Sequence, residues 1–340
     1  MTGNRDEMQR PQCSGASAVY ARTGIWKSSR MRVVADEHGG GFSGLEEEGS
    51  PRRYWLRASL VVATWTATLL LGIGVFTLAT SLGISPKSLQ GTSAQITPQT
   101  VALILSFYAI QIGLICGVHR FVHRQRLERL RLGGKLWPEL GVGFLMGSAV
   151  GALEIAADAL LGSGVTLGWA VPASVSAVSV VAHYLFWFVV ILTLNSLNEE
   201  LTFRVYPLEH LVDRERRPVL VVALTALAFA LIHHLVEPFS WRAFVSRVLA
   251  GLLLGFAYQR YRSLWLICGL HSGMNFVAVS LSGSWQLGGL WDLSLQYGPE
   301  PLRILARILI TAGVLLAIER FSRPPLPTGH LPPLPSNPLS

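Results

Sequence analysis

Charge is scarce in this chain. Only 14% of its 340 residues are charged, where a water-soluble domain carries about a quarter. Cysteine is scarcer still: Cys13, Cys116 and Cys268 form neither a disulfide framework nor a Cys-x-x-Cys pair, so neither a stapled scaffold nor a dithiol redox centre is indicated. Residues 1–50 have no apolar core of the export-signal kind; polar and rich in Gly and Ser, they read as a disordered cytosolic tail. Two hydrolase signatures are missing. There is no His-Glu-x-x-His of the soluble zinc proteases and no Gly-x-Ser-x-Gly of the serine hydrolases. No internal repeat is evident, which leaves the inverted-repeat architecture of many transporters without support.

What fills the chain instead is apolar sequence, 51% of all residues. Eight segments approach the length of about 20 residues that spans a bilayer: 57–82, 98–118, 139–161, 174–202, 218–236, 242–259, 263–282 and 302–319. The fold class read from this is all-α, a polytopic membrane bundle of about eight transmembrane helices. The formal charge of +8 is not spread evenly. Arg52, Arg53 and Arg57 precede the first span. The second connection carries Arg120, Arg124, Arg126, Arg129, Arg131 and Lys135, the fourth Arg214, Arg216 and Arg217, and the sixth Arg260 and Arg262. The odd connections hold little more than Lys87 and Arg242. This alternation is the positive-inside pattern; it places both termini in the cytosol and accounts for the basic balance without nucleic acid. The run from Arg120 to Lys135 reads as a topology signal in contact with lipid headgroups.

The chain divides accordingly into the tail (1–50), three N-terminal spans (51–170), a core of helices four to seven (171–285), an eighth helix with its preceding loop (286–322), and a Pro-rich tail (323–340) that favours extended polyproline geometry.

Three polar clusters interrupt the apolar spans. They are Glu199-Glu200-Leu-Thr-Phe-Arg204, Phe229-Ala-Leu-Ile-His233 and His271-Ser-Gly-Met-Asn275. Each ionisable group at bilayer depth costs about 2.5 kcal/mol or more, so such groups mark function. Residues four apart share a helix face. Glu200 and Arg204 therefore form an internal ion pair, while Glu199 points about 100° away and lacks that partner. Counted from Arg216, Glu199 and His233 each lie 17 residues away, about 25 Å along a helix. This requires the fourth helix to continue past Arg204, with a kink at Pro207. His271 lies 9 residues beyond Arg262, which sets it about 12 Å nearer its own turn.

The chemistry that suits these groups is hydrolysis. An unpaired carboxylate in a low-dielectric pocket can act as general base on water. A histidine and an asparagine one turn apart can stabilise an oxyanion. Two histidines and a glutamate can alternatively ligate one divalent ion such as zinc, with water in the fourth position; the depth offset of His271 weighs mildly against it.

At these residues the chain resembles the CPBP family, which comprises the type II CAAX prenyl endopeptidases and bacteriocin-processing or immunity-related relatives. The ordered series Glu199-Glu200-x-x-x-Arg204, Phe229-x-x-x-His233 and His271-x-x-x-Asn275 carries the resemblance over about residues 180–285. The resemblance implies that Glu199 activates water with help from His233, that Glu200 and Arg204 are a structural pair, and that His271 and Asn275 stabilise the oxyanion. Phe229 then lines the site. Members are commonly called metalloproteases, so the metal set implied is Glu199, His233 and His271. Val205 departs from the pattern, since relatives often carry glycine there.

Other polar residues read as structural. His234 points off the face of His233, and His183 packs near Trp187. Glu154 and Asp158 share a face of the third span and seek a cation, for which Arg247 is a candidate. The resulting expectation is a multi-pass protein of a prokaryotic plasma membrane. It would cut a membrane-associated peptide or protein near the cytosolic face, with membrane lipids as its other partners. The alternatives from other classes are a proton- or ion-coupled transporter and a non-catalytic scaffold or immunity protein of the same fold.

Overall fold

The computed structural model describes residues 51–83, 98–212, 218–234, 238–281, 285 and 288–321. The two tails, Lys87 and the arginines at 214, 216 and 217 lie outside the described residues. So do the side chains of Arg52 and Arg53.

Each apolar segment is helical over most of its described residues. The helices are α1 (Pro51–Ser81), α2 (Pro98–Gly117, extended by a π-turn to Val122), α3 (Leu136–Leu161), α4 (Ala177–Phe186), α5 (Asn195–Glu200), α6 (Tyr206–Leu211), α7 (Pro218–His233), α8 (Trp241–Tyr261), α9 (Leu264–Ser280) and α10 (Glu300–Phe321). The stretches α4, α5 and α6 are one continuous helix, joined by π-helical segments at Trp187–Leu194 and Leu201–Val205. The fourth helix thus runs on past Arg204. Pro207 lies inside this continuous helix, just after the second π-helical segment.

Six of these helices are long and apolar enough to cross a membrane. The other two, α7 with 16 residues and α9 with 17, are shorter. At 1.5 Å per residue α7 spans only about 24 Å, less than the hydrocarbon core of about 30 Å. The expected polytopic helical bundle is thus borne out, with six helices of membrane length and two shorter apolar ones among the described residues. Both short helices carry histidines of the polar clusters.

The all-α reading also missed a two-stranded antiparallel ribbon, β1 (Gly164–Trp169) with β2 (Trp291–Gln296). The signal was present: Trp291-Asp-Leu-Ser-Leu-Gln alternates with period two.

The connections gather at two ends. At one end, Glu209 accepts from the Tyr258 hydroxyl at 2.7 Å and from Arg262 at 3.0 Å. Ser263 donates to Glu139 at 2.6 Å, and His119 and His210 meet ring nitrogen to ring nitrogen at 3.0 Å. These contacts tie together the second, fourth and sixth connections. At the other end, β1 and β2 join the third connection to the seventh, and Arg242 beside the fifth sits 5.7 Å from the Tyr297 ring centre.

Two devices hold the helices. The first is close backbone packing of α3 on α9. A Cβ built on Gly147 would fall 1.9 Å from the Leu270 carbonyl oxygen, and one on Gly269 would fall 2.1 Å from that of Leu140. Only small residues permit such approach, which supplies dispersion contact where lipid offers no hydrophobic drive. The second is a charge clasp between α3 and α10. Arg303 binds Asp158 through two bonds of 2.8 and 3.0 Å, and Arg307 reaches Glu154 at 2.6 Å and Asp158 at 3.2 Å. The cations are thus Arg303 and Arg307, which the sequence reading passed over in favour of Arg247. Arginine is suited to the task because its planar fork meets a carboxylate with two bonds.

Candidate active site

The site begins with the phase of one helix. A π-turn holds more residues than an α-turn, so each π segment rotates the next stretch of helix relative to the one before it, and such segments recur at functional sites. The short α-helical stretch Asn195–Glu200 lies between two of them. It sends its adjacent glutamates to different partners.

Glu200 is fully buried. Its Oε1 accepts from Arg204 Nη1 at 3.0 Å, and the Arg204 side chain is equally inaccessible. The Arg204 guanidinium also lies 4.1 Å over the Phe229 ring, adding a cation–π contact from α7. The same Glu200 oxygen accepts from His271 Nδ1 at 2.7 Å. Each ion of this buried set has an opposite partner within hydrogen-bond range, while Glu200 Oε2 and Arg204 Nε and Nη2 meet no hydrogen-bond partner among the described residues.

Glu199 is 18% exposed and faces the histidines. Its Oε1 stands 3.9 Å from His233 Nε2, and its Oε2 stands 3.6 Å from His271 Nε2. His233 Nδ1 is 2.7 Å from the Phe229 carbonyl oxygen. A carbonyl only accepts, so Nδ1 carries the proton and, in the neutral ring, Nε2 presents its lone pair. In neutral His271, Nδ1 likewise donates to Glu200, and Nε2 again presents a lone pair. Three acceptors therefore converge: one carboxylate and two imidazoles. This suits a water molecule, whose protons satisfy two of them.

The donor chemistry also suits a divalent ion. Both imidazoles are oriented by an outer acceptor, Glu200 for His271 and the Phe229 carbonyl for His233, which is how metal-binding histidines are held. As they stand, no three His, Cys, Asp or Glu side chains among the described residues form a ready metal cage. The set fits an ion in kind rather than as a closed cage.

The 12 Å depth offset expected for His271 does not arise. Counting from turns assumes helices that start at one height, whereas the glycine contacts with α3 fix where α9 sits. Asn275 lies one turn beyond His271 on α9 and is half-buried. Among the described residues no hydrogen bond joins it to Glu199 or the histidines.

Residues 181–277 match the family profile described as type II CAAX prenyl endopeptidase Rce1-like. This segment is similar to the CAAX-protease domains of the CPBP family. It contains all three polar clusters, and it excludes α1 to α3 and α10. No curated protein matches the chain. With this match on a bundle of membrane-length helices, the chain is a multi-pass integral membrane protein with a segment similar to CAAX-protease domains.

Two features of the domain's site were not read from the sequence. One is the bond from His271 to Glu200, which joins residues 71 apart and leaves no local signal. The other is Asn195, whose amide donates to Glu199 Oε1 at 2.8 Å. It stands four residues before Glu199 on the same face, so helical spacing alone would have found it. His234 turns away: its ring centre lies 5.0 Å from that of Phe239. His183 is bound to the Trp285 carbonyl oxygen at 2.9 Å.

Proposed function

We propose that the protein hydrolyses a peptide bond of a membrane-associated substrate with a water activated by Glu199. The observation that carries this is the convergence of His233 Nε2 and His271 Nε2 on one Glu199 carboxylate, within 4 Å, inside a membrane bundle.

Glu199 takes a proton from water held between it and His233, and the hydroxide adds to the peptide carbonyl carbon. The developing oxyanion is met by His271 and by the Asn275 amide. Neutral His271 has only one N–H, and Glu200 engages it. His271 thus donates through Nε2 only as an imidazolium, with Glu200 holding the other nitrogen. When the carbon–nitrogen bond breaks, the leaving amine takes the proton from Glu199.

If a zinc ion binds, Glu199, His233 and His271 would hold it. It would supply Lewis-acid polarisation and a more acidic water. Charge alternation supports placing the second, fourth and sixth connections and both termini in the cytosol, with cleavage near that face. The partners are then membrane lipids and a peptide that reaches the bilayer. The matched family's description names CAAX prenyl substrates, so a farnesylated Cys-aliphatic-aliphatic-X peptide is the first substrate to test. Purified protein in proteoliposomes is expected to release its terminal tripeptide, and the Glu199→Gln variant is expected not to. Equal release by both would overturn the assignment.

A further inference from the structure

Glu199 has a chain of partners that reaches outside the matched segment. Asn195 Nδ2 donates to Glu199 Oε1 at 2.8 Å. The Asn195 side-chain oxygen, Oδ1, in turn accepts from the Tyr108 hydroxyl at 3.1 Å. Tyr108 sits on α2, which packs against α5 but lies before the first matched residue.

The direction of these bonds is not arbitrary. A side-chain amide offers a donor at one end and an acceptor at the other, and a phenol can serve as either. A carboxylate only accepts. With Glu199 ionised, the amide nitrogen must face Oε1, the amide oxygen must face α2, and the Tyr108 hydroxyl must donate. Proton donation therefore runs one way, from Tyr108 to Asn195 to Glu199. Without the hydroxyl, the amide is free to rotate, and its oxygen would meet Oε1 with like charge.

We propose that Asn195 and Tyr108 are positioning residues for Glu199: together they hold Oε1 and leave Oε2 turned toward His271. Glutamate is a long side chain with freely rotating bonds, and a general base must sit within hydrogen-bond reach of the proton it takes. A displacement of about 1 Å in such a group can cost about a hundredfold in rate. The anchor comes from a helix that carries none of the three clusters. The second span thereby becomes part of the active centre without supplying a reacting atom.

The inference rests on the peptidase reading for its kinetic arm only. Two variants test it in the full chain in lipid, Tyr108→Phe and Asn195→Ala. The first removes a single oxygen and keeps the ring. The carboxylate stretching band of Glu199 is isolated by infrared difference against Glu199→Gln, with and without each change. The band is expected to shift in both variants. An unchanged band in both would overturn the proposal whether or not the protein is a peptidase. In the kinetic arm, kcat on the farnesylated peptide is expected to fall about tenfold or more in Asn195→Ala, the loss of one hydrogen bond to a charged group, and about two- to tenfold in Tyr108→Phe, the loss of one between neutral groups. KM should stay within about twofold. A raised KM with unchanged kcat would also overturn it, because the residues would then act on substrate binding. If the unaltered protein hydrolyses nothing, the peptidase reading fails while the infrared arm still decides this one.

Discussion

Glu200 and His271 share a 2.7 Å hydrogen bond across 71 residues of chain. One carboxylate oxygen thus serves two ends, neutralising Arg204 on its own helix and orienting an imidazole on another. The pair that reads as purely structural in sequence is therefore also what aims His271 Nε2 at Glu199.

The two neighbouring glutamates should consequently fail in different ways. Glu199→Gln is expected to leave a folded protein with turnover lowered about a hundredfold to ten-thousandfold, the range for loss of a general base. Arg204→Ala strands Glu200 as a buried unpaired charge, at about 3–5 kcal/mol. Its first symptom should be loss of folded protein, read by size-exclusion yield and thermal melting in detergent. A well-folded Arg204→Ala with normal melting would refute the structural assignment.

His271→Ala and Asn275→Ala address the oxyanion. Each is expected to lower kcat about a hundredfold or more with substrate binding nearly intact, as for loss of an oxyanion donor. Metal analysis of active protein is the companion measurement. Stoichiometric zinc that leaves with activity and restores it on return would reassign His271 from oxyanion donor to ligand.

The contact between α3 and α9 sets the height of His271, so a side chain there should reach the chemistry indirectly. Gly147→Leu would drive atoms into the Leu270 backbone, and overpacking of this kind costs about 1–3 kcal/mol. Both melting temperature and kcat should fall. Gly113→Leu on α2 meets nothing within 4 Å and is the control. Equal behaviour of the two would remove the packing argument.

Orientation can be read with an impermeant thiol reagent. Single cysteines at Gly164 and Asp292 should label from outside, and those at Arg126 and Arg216 only after the membrane is opened. The ribbon adds a constraint independent of charge: Gly164 pairs with Gln296 and Gly168 with Asp292, so the third and seventh connections must label from the same side. Labelling of Arg216→Cys from outside would invert the assignment.

Much of this protein is legible in one dimension because its solvent is unusual. A bilayer forces backbone groups to pair within their own segment, so apolar runs become helices and basic loops declare a side. The polar clusters stand out for the same reason, since an intramembrane glutamate or histidine is too costly to be incidental. Spacing of four then pairs Glu200 with Arg204, because both lie on one helix.

What sequence alone did not decide is every relation between helices. That Arg303 and Arg307, rather than Arg247, answer Glu154 and Asp158 depends on which helices are neighbours. The height of His271 depends on glycine contacts with α3, and helix length says nothing about where a helix begins in depth. The anchoring of Glu199 by Tyr108 depends on α2 packing against α5. Periodicity reports which face of a helix is polar; only packing determines what that face meets.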